Sequence, residues 1–361
     1  MKSENLNTQN VALVVGSTGM AGSNLATKLI EKNWKVHGLS RSGDTSEDII
    51  SVKADLLDKG QLAIALKDVT PTHIFFTTWM RNDTEEENIR VNSAMVKNVL
   101  DVVSQKKSVQ HVALVTGLKH YLGPFESYAK EGTLPETPLR EEQPRLNIEN
   151  FYYAQEDEVY AAAKRDNFTW SIHRPHTLIG YAVGNLMNLG TTLAVYASIC
   201  KEEGMPFIWP GSDAQWNGLS DVTDAKILAD QIIWAATTSE AKNQAFNITN
   251  GDIFRWKWLW QNIADYFGLE SKGFDGTIKP LDERLSEKSE VWNKMGNRYN
   301  LKESDLGRVA SAWHTDLDLG RPIEVMTDMA NSRKLGYAGY CNTKDSFFEL
   351  FDKLKKEKLI P

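Results

Sequence analysis

A phenol that serves a reacting oxygen needs a cation close by, and the sequence supplies the phenol and the cation in an unusual arrangement. Tyr152 stands in the run Asn150-Phe151-Tyr152-Tyr153-Ala154-Gln155-Glu156-Asp157, which reads as the start of a helix. A lysine one helical turn after the tyrosine would share its face and favour its ionisation. Glu156 occupies that place instead, and a carboxylate there opposes phenolate formation. The missing cation has another source in the run Thr116-Gly117-Leu118-Lys119-His120-Tyr121-Leu122-Gly123-Pro124-Phe125, which follows an apolar strand. Tyr152 and Lys119 are therefore the candidate chemical pair.

A second set of residues suits a dinucleotide. Gly16-Ser17-Thr18-Gly19-Met20-Ala21-Gly22 follows the first apolar run directly and opens a helix, with G-x-x-G-x-x-G spacing. Glycine is required where the backbone turns tightly and approaches a pyrophosphate, whose charge is met by free amides at the helix start. Gly16, Thr18, Gly19, Met20 and Gly22 are the expected cradle. An acid at the end of the second strand would bond the ribose hydroxyls of NAD, but the sequence there is Gly38-Leu39-Ser40-Arg41-Ser42. Arg41, with the hydroxyls of Ser40 and Ser42, suits a 2′-phosphate, so the expected cofactor is NADPH/NADP. Asp55-Leu56, ending the third strand, suits an adenine edge: the carboxylate accepts from the amine and the leucine packs on the ring. An Asp in that position is equally able to cap a helix.

The elements that must hold these residues alternate along the N-terminal half. Val11 to Val15, Lys35 to Ser40, Ile49 to Asp55, His73 to Thr78, His111 to Gly117 and Thr169 to His173 read as strands. Between them Ala21, Leu25 and Leu29, and later Met95, Val99 and Val103, recur at four-residue spacing and mark helices that pack on a sheet. The expected fold is α/β: a Rossmann-like, doubly wound parallel sheet with a smaller, mainly helical C-terminal substrate lobe. The expected division is a nucleotide domain over 1–180, with a loop excursion near 125–150, and a substrate lobe over 181–361. Within the lobe, 220–252 is expected to return to the sheet. Thr191 to Glu203, Val222 to Ala236 and Trp256 to Phe267 read as helices, and Ala245 to Thr249 as a strand. Trp256, Trp258 and Trp260 alternate like a strand inside one of these helices.

Composition narrows the partners. A formal net charge of -7 gives no basic field to attract nucleic acid or an anionic bilayer. No apolar run approaches the ~18 residues of a spanning helix, and no leader pattern opens the chain, so the expected compartment is the cytoplasm. The 2 cysteines, Cys200 and Cys341, lack metal or disulfide-framework spacing. His120, His173 and His176 have no second ligand set, so no metal is expected and structural roles are favoured.

The displaced pair resembles the progesterone 5β-reductase and iridoid synthase-like family, a divergent branch of the extended short-chain dehydrogenases. Matching blocks run along the chain: the glycine turn, Phe76-Thr77-Thr78-Trp79, Thr116 to Tyr121, Asn150 to Tyr153, Trp170-Ser171-Ile172-His173-Arg174-Pro175, and Ala245 to Asp252. Ser42 stands where many relatives carry a second arginine, and Thr177 where an asparagine is common. The resemblance implies NADPH-dependent 1,4-reduction of an enone or enal. Tyr152 would donate to the enolate oxygen, and Lys119 would hold the nicotinamide ribose or place charge near the phenol. It further implies Thr78, Thr116, Gly117, Pro175 and Leu178 as cofactor contacts. Trp79, Phe125, Tyr128, Met187 and Ser220 would line the pocket, with Phe347 or Phe348 contributing; the assembly would be a homodimer. Two other readings share the glycine turn: an extended dehydrogenase acting on a carbonyl or nucleotide sugar, which should keep Y-x-x-x-K, and a non-catalytic NADP(H) sensor.

Overall fold

The structure is a computed structural model that describes residues 9–43, 46–124, 135–182, 184 and 187–361. Phe125 and Tyr128 lie outside the described residues. The chain divides into two compact units. The first comprises Met1–His120, Arg145–Arg174 and Ala229–Phe246, and the second Tyr121–Pro144, Pro175–Leu228 and Asn247–Pro361.

The first unit opens with β1 (Val11–Val15), α1 (Met20–Glu31), β2 (Lys35–Ser40), β3 (Ile50–Lys53), α2 (Lys59–Ala65) and β4 (His73–Phe76). It continues with α3 (Glu85–Ser104), β5 (His111–Val115), α4 (Lys119–Leu122, running into the second unit), α5 (Phe151–Asp166) and β6 (Thr169–Pro175). The 7-stranded sheet has the strand at Gln244–Ile248 on one edge, followed in order by β6, β5, β4, β1, β2 and β3. The ladders from β6 across to β3 are parallel. This is the doubly wound Rossmann arrangement that the alternating pattern implies. Strand order reverses beside β1, and such a reversal opens a crevice at the carboxyl ends of the strands, where the glycine turn sits. β1 and β4 are buried almost throughout, as strands covered on both faces must be, which is why they read as unbroken apolar runs. α1 buries Met20, Leu25, Ala26 and Leu29 on the face toward the sheet.

Strands three to five end earlier than their apolar runs do. β3 stops at Lys53 because Asp55 turns the chain, its Oδ1 accepting from Leu57 N at 2.9 Å. The N-cap of α2 is Asp58, so Asp55 does not cap it.

A row of imidazoles is buried under the middle of this sheet. His111 Nε2 lies 3.0 Å from Ser171 Oγ, which lies 2.9 Å from His173 Nε2. His173 Nδ1 meets Gln231 Oε1 at 2.8 Å, so its proton is donated there and its Nε2 accepts from the Ser171 hydroxyl. His73, stacked edge-on against Trp34 at 4.7 Å, completes the row on β4. Burial pushes His73 and His173 down to about 4 and His111 to about 3, so all three stay neutral.

The second unit is mainly helical. The helices Leu189–Glu203, Trp256–Phe267 and Thr343–Lys356 enclose a core containing Leu193, Trp209, Trp260, Phe347 and Phe351. The tryptophan triplet is helical: Trp256 and Trp260 are buried one turn apart, while Trp258 is 44% exposed. Trp260 Nε1 donates to Phe207 O at 3.1 Å and Trp209 Nε1 to Ser212 O at 3.2 Å, so both of these buried indoles have an acceptor. The segment read as one helix from Val222 begins instead with a two-residue strand, Thr223–Asp224, paired with Leu178–Ile179, and turns helical only at Ala225. Among the described residues no helix is long and apolar enough to cross a membrane.

Candidate active site

The glycine turn is defined by close approach. Gly16 sits at φ +90°, where only glycine is unstrained, and a Cβ on it would lie 2.6 Å from Thr78 Cβ. A Cβ on Gly22 would lie 2.2 Å from Gly16 O and 2.8 Å from Thr77 Oγ1, so this helix face can pass the turn only without a side chain. Thr77 Oγ1 also donates to Val15 O at 2.8 Å, tying the end of β4 to β1.

The residues fit a bound dinucleotide. α1 has Gly19 at its N-cap, hence no side-chain cap, and no acid in its first turn, leaving its amides and dipole for an anion. Among the described residues Ser17 Oγ and Ser40 Oγ are buried without a protein partner, and such hydroxyls call for a ligand or water. Arg41 and Ser42 are exposed just past β2, with Ser42 Oγ 3.3 Å from Gly43 O. Leu56 is buried in the sheet's core, and Asp55 keeps one carboxylate oxygen outside its turn. Thr116, beyond β5, is fixed through its N–H to His173 O at 2.8 Å, and Gly117 O accepts from His120 N at 3.2 Å.

At the chemical end Lys119 and Tyr152 come together, both buried. Lys119 Nζ lies 4.6 Å from the Trp79 ring centroid, 4.9 Å from that of Phe151 and 5.7 Å from that of Tyr152. An ammonium among ring faces is held by their quadrupoles while its charge persists. Asn150 caps α5, its Oδ1 accepting from Tyr152 N at 3.0 Å, while its Nδ2 donates to Lys119 O at 2.7 Å. Glu85 Oε1 accepts from Phe151 N at 2.7 Å, so α3 also fixes the start of α5.

The neighbouring tyrosines are committed elsewhere. Tyr153 donates to His120 O at 2.6 Å, and Tyr121 donates to Asn247 Oδ1 at 2.7 Å. Glu156 is met by Arg145 at 2.8 Å and Arg174 at 3.6 Å. Burial first, with the Glu156 charge also contributing, raises the Tyr153 phenol and pushes that of Tyr160 up to about 12. The acid in the usual lysine position thus belongs to an arginine pair flanking α5. Neither Asn150's double role nor this pairing was legible beforehand, although an asparagine before a helical run does signal the cap.

The remaining expected residues are spread over both units. Trp79 is half-buried in the first, its ring 5.2 Å from that of Phe151. In the second, Pro175 closes β6, Leu178 lies in its short strand and Met187 is half-buried. Ser220 is buried, with its backbone bridged to Phe254 and Val325. Phe347 is wholly buried between Trp256 and Phe351 as core filling. His176 is enclosed by Asp221 at 2.6 Å and Arg321 at 2.7 Å; the arginine must donate, so the imidazole accepts at Nε2. Among the described residues no group of three or more His, Cys, Asp or Glu is placed to hold a metal ion.

Sheet order and glycine turn define a Rossmann-fold protein, with Lys119 and Tyr152 brought together beyond β5. The fold is shared with UDP-glucose 4-epimerase of Thermotoga maritima (TM-score 0.68, 13% identity, 96% of this chain and 99% of that one). It is shared too with the Thermus thermophilus UDP-glucose 4-epimerase solved with NAD (TM-score 0.63, 13% identity, 96% and 99%). Residues 44–361 match the PRISE-like Rossmann-fold domain, and the chain belongs to that family. It is 40% identical to a 3-oxo-Delta(4,5)-steroid 5-beta-reductase of Arabidopsis thaliana, over 98% of this chain and 94% of the relative. It is 39% identical to an (S)-8-oxocitronellyl enol synthase of Nepeta racemosa, with the same coverage.

Proposed function

We propose that this enzyme reduces the carbon–carbon double bond of enones or enals by 1,4-addition, with NADPH as donor. The observation that carries the reading is the relocated cation: Lys119, not a residue on α5, supplies the charge near Tyr152. The relatives' names support it chemically. One describes a 3-oxo-Δ4,5 steroid, which is an enone, and the other an enol, which hydride addition to the β-carbon of an enal leaves before α-protonation.

When bound, NADPH supplies the hydride to the β-carbon. The Tyr152 hydroxyl donates to the carbonyl oxygen, and that bond strengthens as charge moves onto the oxygen. The Lys119 ammonium adds positive potential and a contact to the ribose. Tyr121 and Tyr153 donate their hydrogen bonds to Asn247 Oδ1 and the His120 backbone carbonyl, which favours Tyr152 as donor. Trp79 and Phe151 keep water from the ammonium. Arg41, Ser40 and Ser42 would hold the 2′-phosphate.

The test is oxidation of NADPH with 2-cyclohexen-1-one and identification of the product by mass and proton NMR. Cyclohexanone is expected. An allylic alcohol would make this a carbonyl reductase, and tight NADPH binding without turnover on a broad enone panel would make it a sensor.

A further inference from the structure

We infer that Asn150 and Tyr153 are positioning residues which set Lys119 for the reaction by holding two successive carbonyls of its turn. The inference rests on the role given to Lys119 above. Asn150 Nδ2 donates to Lys119 O at 2.7 Å, and the Tyr153 hydroxyl donates to His120 O at 2.6 Å. Both donors come from the first turn of α5, the turn that carries Tyr152. The helix presenting the phenol therefore also fixes the backbone of the lysine, so the two groups keep their separation as one unit.

The two bonds are buried, where a carbonyl without a donor is costly and an alternative path for the turn is correspondingly disfavoured. Tyr153 suits this role because burial keeps its phenol protonated, and Leu146 N donates to its oxygen at 3.0 Å, fixing the hydroxyl's direction. Asn150 is suited because its amide offers an acceptor to Tyr152 N and, from a separate atom, a donor to Lys119 O at once. Trp79 and Phe151 then confine the ammonium end of the same side chain. Lys119 is thus held at its backbone by hydrogen bonds and at its tip by aromatic rings. This also explains why the lysine run and the Asn-Phe-Tyr-Tyr run belong together in one sequence.

Asn150→Asp separates capping from positioning. Aspartate still caps α5 by accepting from Tyr152 N, but it places a carboxylate oxygen where Lys119 O needs a donor. Tyr153→Phe removes the other bond while keeping the ring. The experiment measures kcat and KM for NADPH and a simple enone, with melting curves, for each variant alone and combined with Lys119→Ala. The expected result is a fall in kcat of ~10-fold or more at parental melting temperature, with KM for the enone little changed. In the Lys119→Ala background neither substitution should lower kcat further. Parental kcat in both variants, with Lys119→Ala impaired, overturns the inference and leaves the proposed function standing. Equal losses with and without Lys119 overturn it as well, because the effect would then be structural. Parental kcat in Lys119→Ala removes the role on which the inference rests, and both fall together.

Discussion

Beside β1 the backbone itself makes the proposed nucleotide cradle. Gly16 at φ +90° and Gly22, whose absent Cβ leaves 2.2 Å to Gly16 O, shape a turn that side chains would close. Beyond β5 the reverse holds: Lys119 and Tyr152 are set by other side chains, namely Asn150, Tyr153, Trp79 and Phe151. Sites made of backbone announce themselves by residue type, since only glycine suits them. Sites made of side chains held by side chains can migrate in the sequence while their chemistry persists. The lysine that usually follows the tyrosine on a helix has its proposed equivalent here in Lys119, which opens the short helix after β5.

The largest disturbance should break both ends at once, through the sheet beneath them. Burial depresses His73 and His173 to about 4 and His111 to about 3, against an ordinary value of 6.5. Above pH 6.5 folded and unfolded chains bind these protons alike. Below it the unfolded chain gains protons that the folded one refuses, so stability falls from about pH 6.5 toward pH 3. Each unit of withheld titration is worth about 1.4 kcal/mol, a large share of a typical 5–15 kcal/mol. Melting temperature should therefore drop steeply across this range, and a flat profile between pH 6.5 and 4 would show that the row is not carried neutral.

Tyr152→Phe should strike the chemical end alone. Loss of one directed donor to an oxyanion costs ~10²- to 10³-fold in kcat, with NADPH affinity by fluorescence titration unchanged. A folded variant within about threefold of parental kcat on several enones would refute the donor role. Gly22→Ala should strike the nucleotide end alone. Forcing a methyl against Gly16 O costs ~1–3 kcal/mol, weakening NADPH binding and lowering the melting temperature while kcat at saturating cofactor survives. Arg41→Ala is the finest cut. It should raise KM for NADPH about tenfold, ~1.4 kcal/mol, and leave that for NADH alone; equal effects on both cofactors would exclude a 2′-phosphate contact.

The sequence was most readable where a local rule suffices. All the strands from Val11 to Pro175 except β3, which buries only Val52, carry buried runs, and the glycine spacing marks the switch point without any tertiary knowledge. Strand ends were less readable, because β3 stops where Asp55 bonds Leu57 N rather than where apolar residues run out. The helix read over Trp256 to Phe267 is the one the structure has, although its tryptophan triplet is ambiguous by spacing: period two and period four coincide at Trp256 and Trp260, and the exposure of Trp258 separates them. Glu156 stood out as an anomaly in sequence, but its meaning depends on Arg145 and Arg174, which approach it from outside α5. Such long-range pairs leave no periodic trace.

The Arg145 bonds have a further consequence. The chain leaves the first unit after His120 and re-enters it at Arg145. Tyr153 holds the point of departure, and Glu156 and Asp157, both 2.8 Å from Arg145, hold the point of return. One helix thus anchors both feet of the intervening stretch, whatever its length. Closing a longer stretch between fixed feet costs only about 0.6 kcal/mol per doubling. Within that stretch Leu139 is bonded to Met326 and Asp328, and Glu141 to Asn247 and Asn331, so a change of length that spares these ties leaves Lys119 in register with Tyr152.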